Sequence, residues 1–155
     1  VLINTNGNSN QKKSYTAIQE VPTQQVHGAN MFDGVTTLKE YESTDKNKKV
    51  ITKFLNDVWI GGNVGILQDF FHNGKVIQHN PQVENNLEGL YKFLNYINQQ
   101  GITLQYQELL STFAKGDMVM TYSKGVLNNK PHVFADLFRL ENGKIAEHWD
   151  VIQSK

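Results

Sequence analysis

After Gly101 the chain is punctuated three times at hairpin spacing, by Lys115-Gly116-Asp117, Asn128-Asn129-Lys130 and Asn142-Gly143. Between these turns lie the strand-like runs ITLQYQELLSTFA, MVMTYSKGVL and PHVFADLFRL, and a last run follows Lys144. Short polar turns with Gly or Asn at left-handed positions join neighbouring antiparallel strands, so the pattern predicts three hairpins in series, an antiparallel meander.

The residues before Gly101 follow a different period. KKVITKFLNDVWI (48–60) places Val50, Ile51, Phe54, Leu55 and Val58 at helical spacing and stops at Gly61-Gly62. NVGILQDFFH predicts a second short helix with Asn63 as its N-cap. Asn73-Gly74 then turns the chain into a short strand, KVIQHNP, stopped by Pro81. NLEGLYKFLNYINQQ predicts a third helix, with Leu87, Leu90, Phe93, Leu94 and Ile97 on one face and Gly101 past its end. Helices first and a meander afterwards predict an α+β domain. Its curved, mostly antiparallel sheet packs against three N-terminal helices as a cone-shaped barrel enclosing an apolar pocket.

Residues 1–46 are rich in Asn, Gln, Thr, Ser and Lys and lack a sustained period, which predicts an extended or partly disordered arm. Residues 47–155 form the cone domain, and HGANMFDGV is the part of the arm most able to pack on its surface. The first ten residues, VLINTNGNSN, fit either the tail of a removed export signal or a polar start to a bacterial cytoplasmic chain, so the compartment stays open.

Charge and composition remove several function classes. Fifteen basic residues balance fifteen acidic ones, which gives no electrostatic reason to expect nucleic acid or an anionic membrane as partner. No run approaches the length of a membrane-spanning helix. Cysteine is absent, so disulfides, thiolate zinc sites and Cys nucleophiles are out.

The chemistry-bearing residues concentrate in the last two strands. Side chains alternate between the faces of a strand, so His148, Asp150 and Ile152 share one face of the last strand and Glu147, Trp149 and Val151 the other. On the preceding strand Phe134, Asp136 and Phe138 share a face, and an acid between two phenylalanines suits the polar spot of an otherwise apolar pocket wall. Whether Asp136 and Asp150 meet depends on one turn. A two-residue Asn142-Gly143 loop sets Asp136 opposite Trp149, with the acids on opposite faces. A three-residue loop from Glu141 sets Asp136 opposite His148, with all three groups on one face, and both loops tolerate these residues. Gln78, His79 and Asn80 interrupt an apolar strand beside Pro81, as ligand-binding residues at a pocket mouth do and as exposed turn residues do equally. Arg139 and Glu147 suit a salt pair on the outer face, worth under about 1 kcal/mol if exposed. Trp149 is expected to pack that same face or a dimer interface.

VIQHNP, the Gly-Leu pair in LEGLYKFL, and DLFRLENGKIAEHWDVIQ together resemble the SnoaL-like polyketide cyclases of the nuclear-transport-factor-2-like α+β cone superfamily. The resemblance covers about Lys48 to Gln153. It implies a pocket between the helices and the concave sheet face, a general-base aspartate at Asp150, and a second polar pocket residue at Asp136, where those cyclases use histidine. His79 matches the histidine of the QHNP element and is implied to line the pocket. The resemblance also favours the three-residue turn, and implies no cofactor and no metal. A His79, His148 and Asp150 set would otherwise suit iron or zinc.

Those residues suggest proton abstraction from carbon beside a carbonyl. Asp150 would be the base, strengthened by an apolar wall, and protonated Asp136 or His79 the donor to the enolate oxygen. His148, Phe134, Phe138, Gln78, Asn80, Trp59 and Tyr122 are the expected substrate contacts. The expected substrate is a small, largely apolar carbonyl compound, and the expected assembly a homodimer through the outer sheet face. The competing expectation is a non-catalytic ligand-binding or dimerisation module, since the same fold hosts both. Burial of Asp136 and Asp150 in a pocket favours the enzyme.

Overall fold

The computed structural model describes residues 30–155; residues 1–29 of the expected arm, His27 among them, lie outside these. Helix α1 runs Thr44–Phe54 and continues through π-helical turns over Leu55–Ile60. A 3-10 helix, Val64–Phe70, leads to the short strand β1, Ile77–Gln78, and then to α2, Asn86–Gln99. The meander follows as β2 (Leu104–Lys115), β3 (Met118–Leu127), β4 (Lys130–Glu141) and β5 (Lys144–Ser154). Strand order is β1-β5-β4-β3-β2, with β1 parallel to β5 and the other pairs antiparallel. The α+β cone is the expected one, with a sheet that is mixed and not closed.

Helix α1 begins four residues before the expected start, and at a polar turn. Its first residues are held by tertiary bonds: Thr44 Oγ1 accepts from Gly116 N at 2.8 Å and Asn47 Nδ2 donates to Gly116 O at 2.9 Å. Apolar spacing cannot register such anchors. Ile51, Phe54, Leu55 and Val58 then enter the core as their spacing predicts. The second helix is a 3-10 segment, and the Asn63 side chain makes no cap bond to it. Gly101 ends α2 in the left-handed conformation (φ 67°), and Ile102 N reaches back to Ile97 O at 2.8 Å, which closes the last turn.

Three bulges bend the sheet over the helices. Gln107 and Leu110 are extra residues on β2, and Ala146 is extra on β5. The concave face presents Val119, Phe134, Phe138, Leu140 and Ile145 to Phe54, Leu55, Leu67 and Phe70. Residues 30–39 contain no helix or strand and are tied to the body at several points. Lys39 and Asp117 exchange two bonds at 2.9 and 2.8 Å, and Asp33 O accepts from Trp149 Nε1 at 3.0 Å.

Candidate active site

The register of the last hairpin decides which acids meet. Asn142 (φ 51°) and Gly143 (φ 72°) form a two-residue turn, and Leu140 pairs with Ile145. That turn alone would point Asp136 and Asp150 apart. The bulge at Ala146 shifts the register by one residue, so that Phe138 pairs with His148 and Asp136 with Asp150. Both acids therefore face the concave side, brought there by a bulge and not by the three-residue turn.

A chain of hydrogen bonds runs across this face. The Tyr106 hydroxyl, from β2, donates to both oxygens of Asp136, at 3.1 and 3.2 Å. His148 Nε2 stands 3.1 Å from Asp136 Oδ1, and Nδ1 stands 2.8 Å from Gln78 Oε1. Both ring nitrogens thus face acceptors, as an imidazolium requires. Asn80 Nδ2 donates to Asp150 Oδ2 at 2.8 Å. Asp136 is 1% exposed, whereas Asp150 is half-buried on the wall of a cavity of about 90 Å³. The remaining wall is largely apolar, with Phe54, Trp59, Phe93 and Phe138 prominent.

Electrostatics follow from this packing. Burial raises the Asp150 pKa and the nearby Asp136 charge adds to it, while His148 and the Asn80 amide pull it back without cancelling the rise. Burial lowers the His148 pKa, but the hydrogen bond to Asp136 and the charges of Asp150 and Asp136 outweigh it, leaving the value raised. Burial lifts Tyr106 well above its ordinary value, reinforced by the charges of Asp136 and Asp150, and keeps its proton in place.

Asp150, Asp136, His148, Phe138, Gln78, Asn80 and Trp59 all line the cavity. Three other expected site residues do not. Phe134 is sealed in the core beneath Tyr106, its ring stacked 4.3 Å away. Tyr122 pairs with Ala135 on the outer face, because inward positions on β3 alternate through Thr121 and Ser123. His79 points outward, since its neighbour Gln78 takes the inward position on β1. Its Nδ1 donates to Asn30 O at 2.6 Å, its Nε2 lies 2.7 Å from Glu147 Oε1, and its ring stacks on Trp149 at 4.4 Å. His79, His148 and Asp150 therefore cannot converge on one metal ion. Arg139 and Glu147 do pair on the outer face, at 2.6 Å, but buried rather than exposed.

Asp136 also departs from the donor role expected of it, because it accepts from Tyr106 and faces a nitrogen of His148. Tyr106 itself is a pocket residue that the turn patterns did not single out. Alternation counted from the Gly116-Asp117 turn would have found it: the two β2 bulges cancel in parity, leaving Tyr106 on the inward face with Ala114 and Thr112.

No family profile and no curated protein matches the sequence. Solved structures match in fold. An NTF-2 like protein of unknown function from Burkholderia xenovorans superposes with a TM-score of 0.57 at 11% identity, over 72% of this chain and 85% of that one. A candidate polyketide cyclase from Acidithiobacillus ferrooxidans gives 0.53 at 14%, over 78% and 92%. An LEH-like epoxide hydrolase from M. tuberculosis gives 0.53 at 15%, over 72% and 85%. At these identities the likeness establishes the fold.

Proposed function

We propose that this chain, which has the nuclear-transport-factor-2-like α+β cone fold, is an enzyme that abstracts a proton beside a carbonyl without a cofactor. The carbonyl compound is small and largely apolar, and the reaction is of the aldol-cyclase or isomerase type. One observation carries the reading: Asp150 lies half-buried on an aromatic cavity wall, directly across from buried Asp136, with His148 bonded to the latter. A base so placed is stronger than a solvated carboxylate, and the imidazolium offsets the negative charge that moves onto the substrate. Asp136 and Tyr106 serve as positioning residues that hold His148 in its charged form. The cavity volume of about 90 Å³ falls below the usual 300–1,000 Å³ of drug-sized sites, which favours compact substrates of a single ring or less.

The test is deuterium exchange at the α-carbon of small ketones and 1,3-diketones in D2O, followed by NMR. Wild type should catalyse exchange and Asp150→Asn should reduce it to the buffer rate with folding intact. Exchange at the buffer rate by both proteins would leave the cone as a binding module, and equal exchange above that rate would refute Asp150 as the base.

We further propose a homodimer through the outer sheet face. Phe113, Met120, Leu137 and Trp149 form one cross-strand row there, with Tyr122, Ala135 and Val151 beside it. Phe113 and Val151 are 60% and 61% exposed in the single chain, an apolar surface that self-association would cover. Met120→Glu should halve the mass measured by light scattering; a wild type that is already monomeric would refute the interface.

A further inference from the structure

Gln78 is 3% exposed, and its two amide ends are used differently. Its Oε1 lies 2.8 Å from His148 Nδ1, and its backbone N donates to Asn85 Oδ1 at 2.9 Å, which anchors the residue. Its Nε2 has no hydrogen-bond partner among the described residues. Nor is that atom sealed in the core, where the unpaired side-chain atoms are those of Asn47, Thr121 and Ser123. Gln78 is one of the residues that line the cavity. A buried amide with two unused hydrogens facing an apolar cavity is costly unless a ligand oxygen completes it.

We propose that Gln78 Nε2 is the donor that holds the substrate's carbonyl oxygen while Asp150 takes the neighbouring proton. The assignment rests on the proton-abstraction reading and names the oxyanion-binding group within it. The geometry of β1 and β5 supports it. Gln78 stands beside His148 in the parallel register, and Asn80 beside Asp150. The donor and the base are therefore on neighbouring strands, offset by two residues, which places their backbones about 8 Å apart (about 6.6 Å along the strand and about 4.8 Å between strands). A base about 3 Å from an α-carbon and a donor about 2.9 Å from the adjacent carbonyl oxygen span a comparable distance.

The amide is oriented by its neighbours. Nδ1 of an imidazolium is a donor, so it selects Oε1 and turns the NH2 group to the cavity. Asp136 and Asp150 favour that charged ring, Phe138 stacks on it at 4.8 Å, and Tyr106 fixes Asp136. If His148 loses its Nδ1 proton, the amide is free to flip and present oxygen to the substrate. The chain from Tyr106 through Asp136 and His148 thus ends in a correctly aimed donor, which explains its length without any of the three touching substrate oxygen.

The experiment uses cyclopentanone labelled with 13C at the carbonyl. Enolisation is reversible and consumes no ketone, so wild type can be used directly. The bound carbonyl carbon should resonate downfield of the ketone in an aprotic solvent, reporting a hydrogen bond. Gln78→Glu still accepts from His148 but has no hydrogen to give. It should abolish the downfield shift and slow exchange by about 10²–10³-fold, the loss typical of one oxyanion donor. If near-UV circular dichroism shows that variant unfolded, Gln78→Met replaces it in the same test. A downfield shift retained in the variant overturns the assignment, as does exchange that Asp150→Asn abolishes and Gln78→Glu leaves intact. A wild type that shows the Gln78-dependent shift but no exchange keeps the donor and refutes the base. Failure of wild type to bind the ketone refutes both.

Discussion

Asp136 and Asp150 face each other across β4 and β5 on the concave wall, and His148 contacts the first while facing the second. Two carboxylates at directly opposed positions repel, so the arrangement depends on the cation held beside them. Asp136 is the buried member, and both Tyr106 and His148 bond to it. Replacing it by Leu would leave a buried hydroxyl and a buried imidazolium without their acceptor. Asp136→Leu should cost about 3–5 kcal/mol in urea denaturation, the usual consequence of removing one partner from a buried pair. It should also lower the His148 pKa in an imidazole NMR titration. An unchanged titration would mean that Asp136 does not hold the charge on His148.

Activity should be bell-shaped in pH. Proton abstraction needs Asp150 ionised, and its raised pKa moves the acid limb above the ordinary carboxylate value of about 3.9. The charge on His148 must persist, and its raised pKa moves the alkaline limb above about 6.5. The limbs belong to the coupled group of three and not to single residues. The stability term has its own sign. His148 binds its proton more tightly when folded, so its contribution is complete below about pH 6.5 and is lost as pH rises through the folded value. His148→Gln should therefore narrow its stability deficit as pH rises, when measured by denaturation at a series of pH values. A constant deficit would show that folding does not raise the His148 pKa, and a deficit that widens with pH would place the folded imidazole in its neutral form.

The bulge at Ala146 marks the boundary of what the sequence makes legible. The meander, its turns, α2 and the core face of α1 follow from periodicity and turn chemistry. Ala146 does not, because no residue type announces a bulge, yet that one residue decides which face receives Asp150. His79 was illegible for a related reason: β1 has two residues, and its pairing with β5 sets which side chains point inward. Deleting Ala146 removes the unpaired residue and leaves Phe138 opposite His148 and Asp136 opposite Asp150 in plain two-residue hairpin register. The deletion should therefore keep His148 and Asp150 on the concave face and retain exchange, as should Ala146→Gly. A folded deletion variant without exchange would show that the bulge does more than set the face.

His79 and Glu147 should behave as structural residues and not as catalytic ones. Both are nearly inaccessible, at 2% and 1% exposure, on the face opposite the cavity. Glu147 accepts from Arg139 Nε at 2.6 Å and contacts His79 at 2.7 Å, so one carboxylate serves both side chains. Asn30 O and the Trp149 ring complete the surroundings of His79, and Gly34 lies so close that a Cβ there would come within 2.3 Å of Trp149 and 2.6 Å of Glu147. This packing explains why the pair is buried: residues 30–34 lie over it. Glu147→Ala should cost about 3–5 kcal/mol, because Arg139 and His79 lose a common acceptor in a dry site. His79→Gln should cost less, since a neutral amide can still donate to Asn30 O or to Glu147. In both variants the exchange rate per folded molecule should stay within about twofold of wild type, a free-energy difference of under about 0.5 kcal/mol. Rates are to be measured at protein concentrations corrected for the folded fraction. A folded His79→Gln protein without exchange activity would return His79 to the catalytic set, which its outward position excludes.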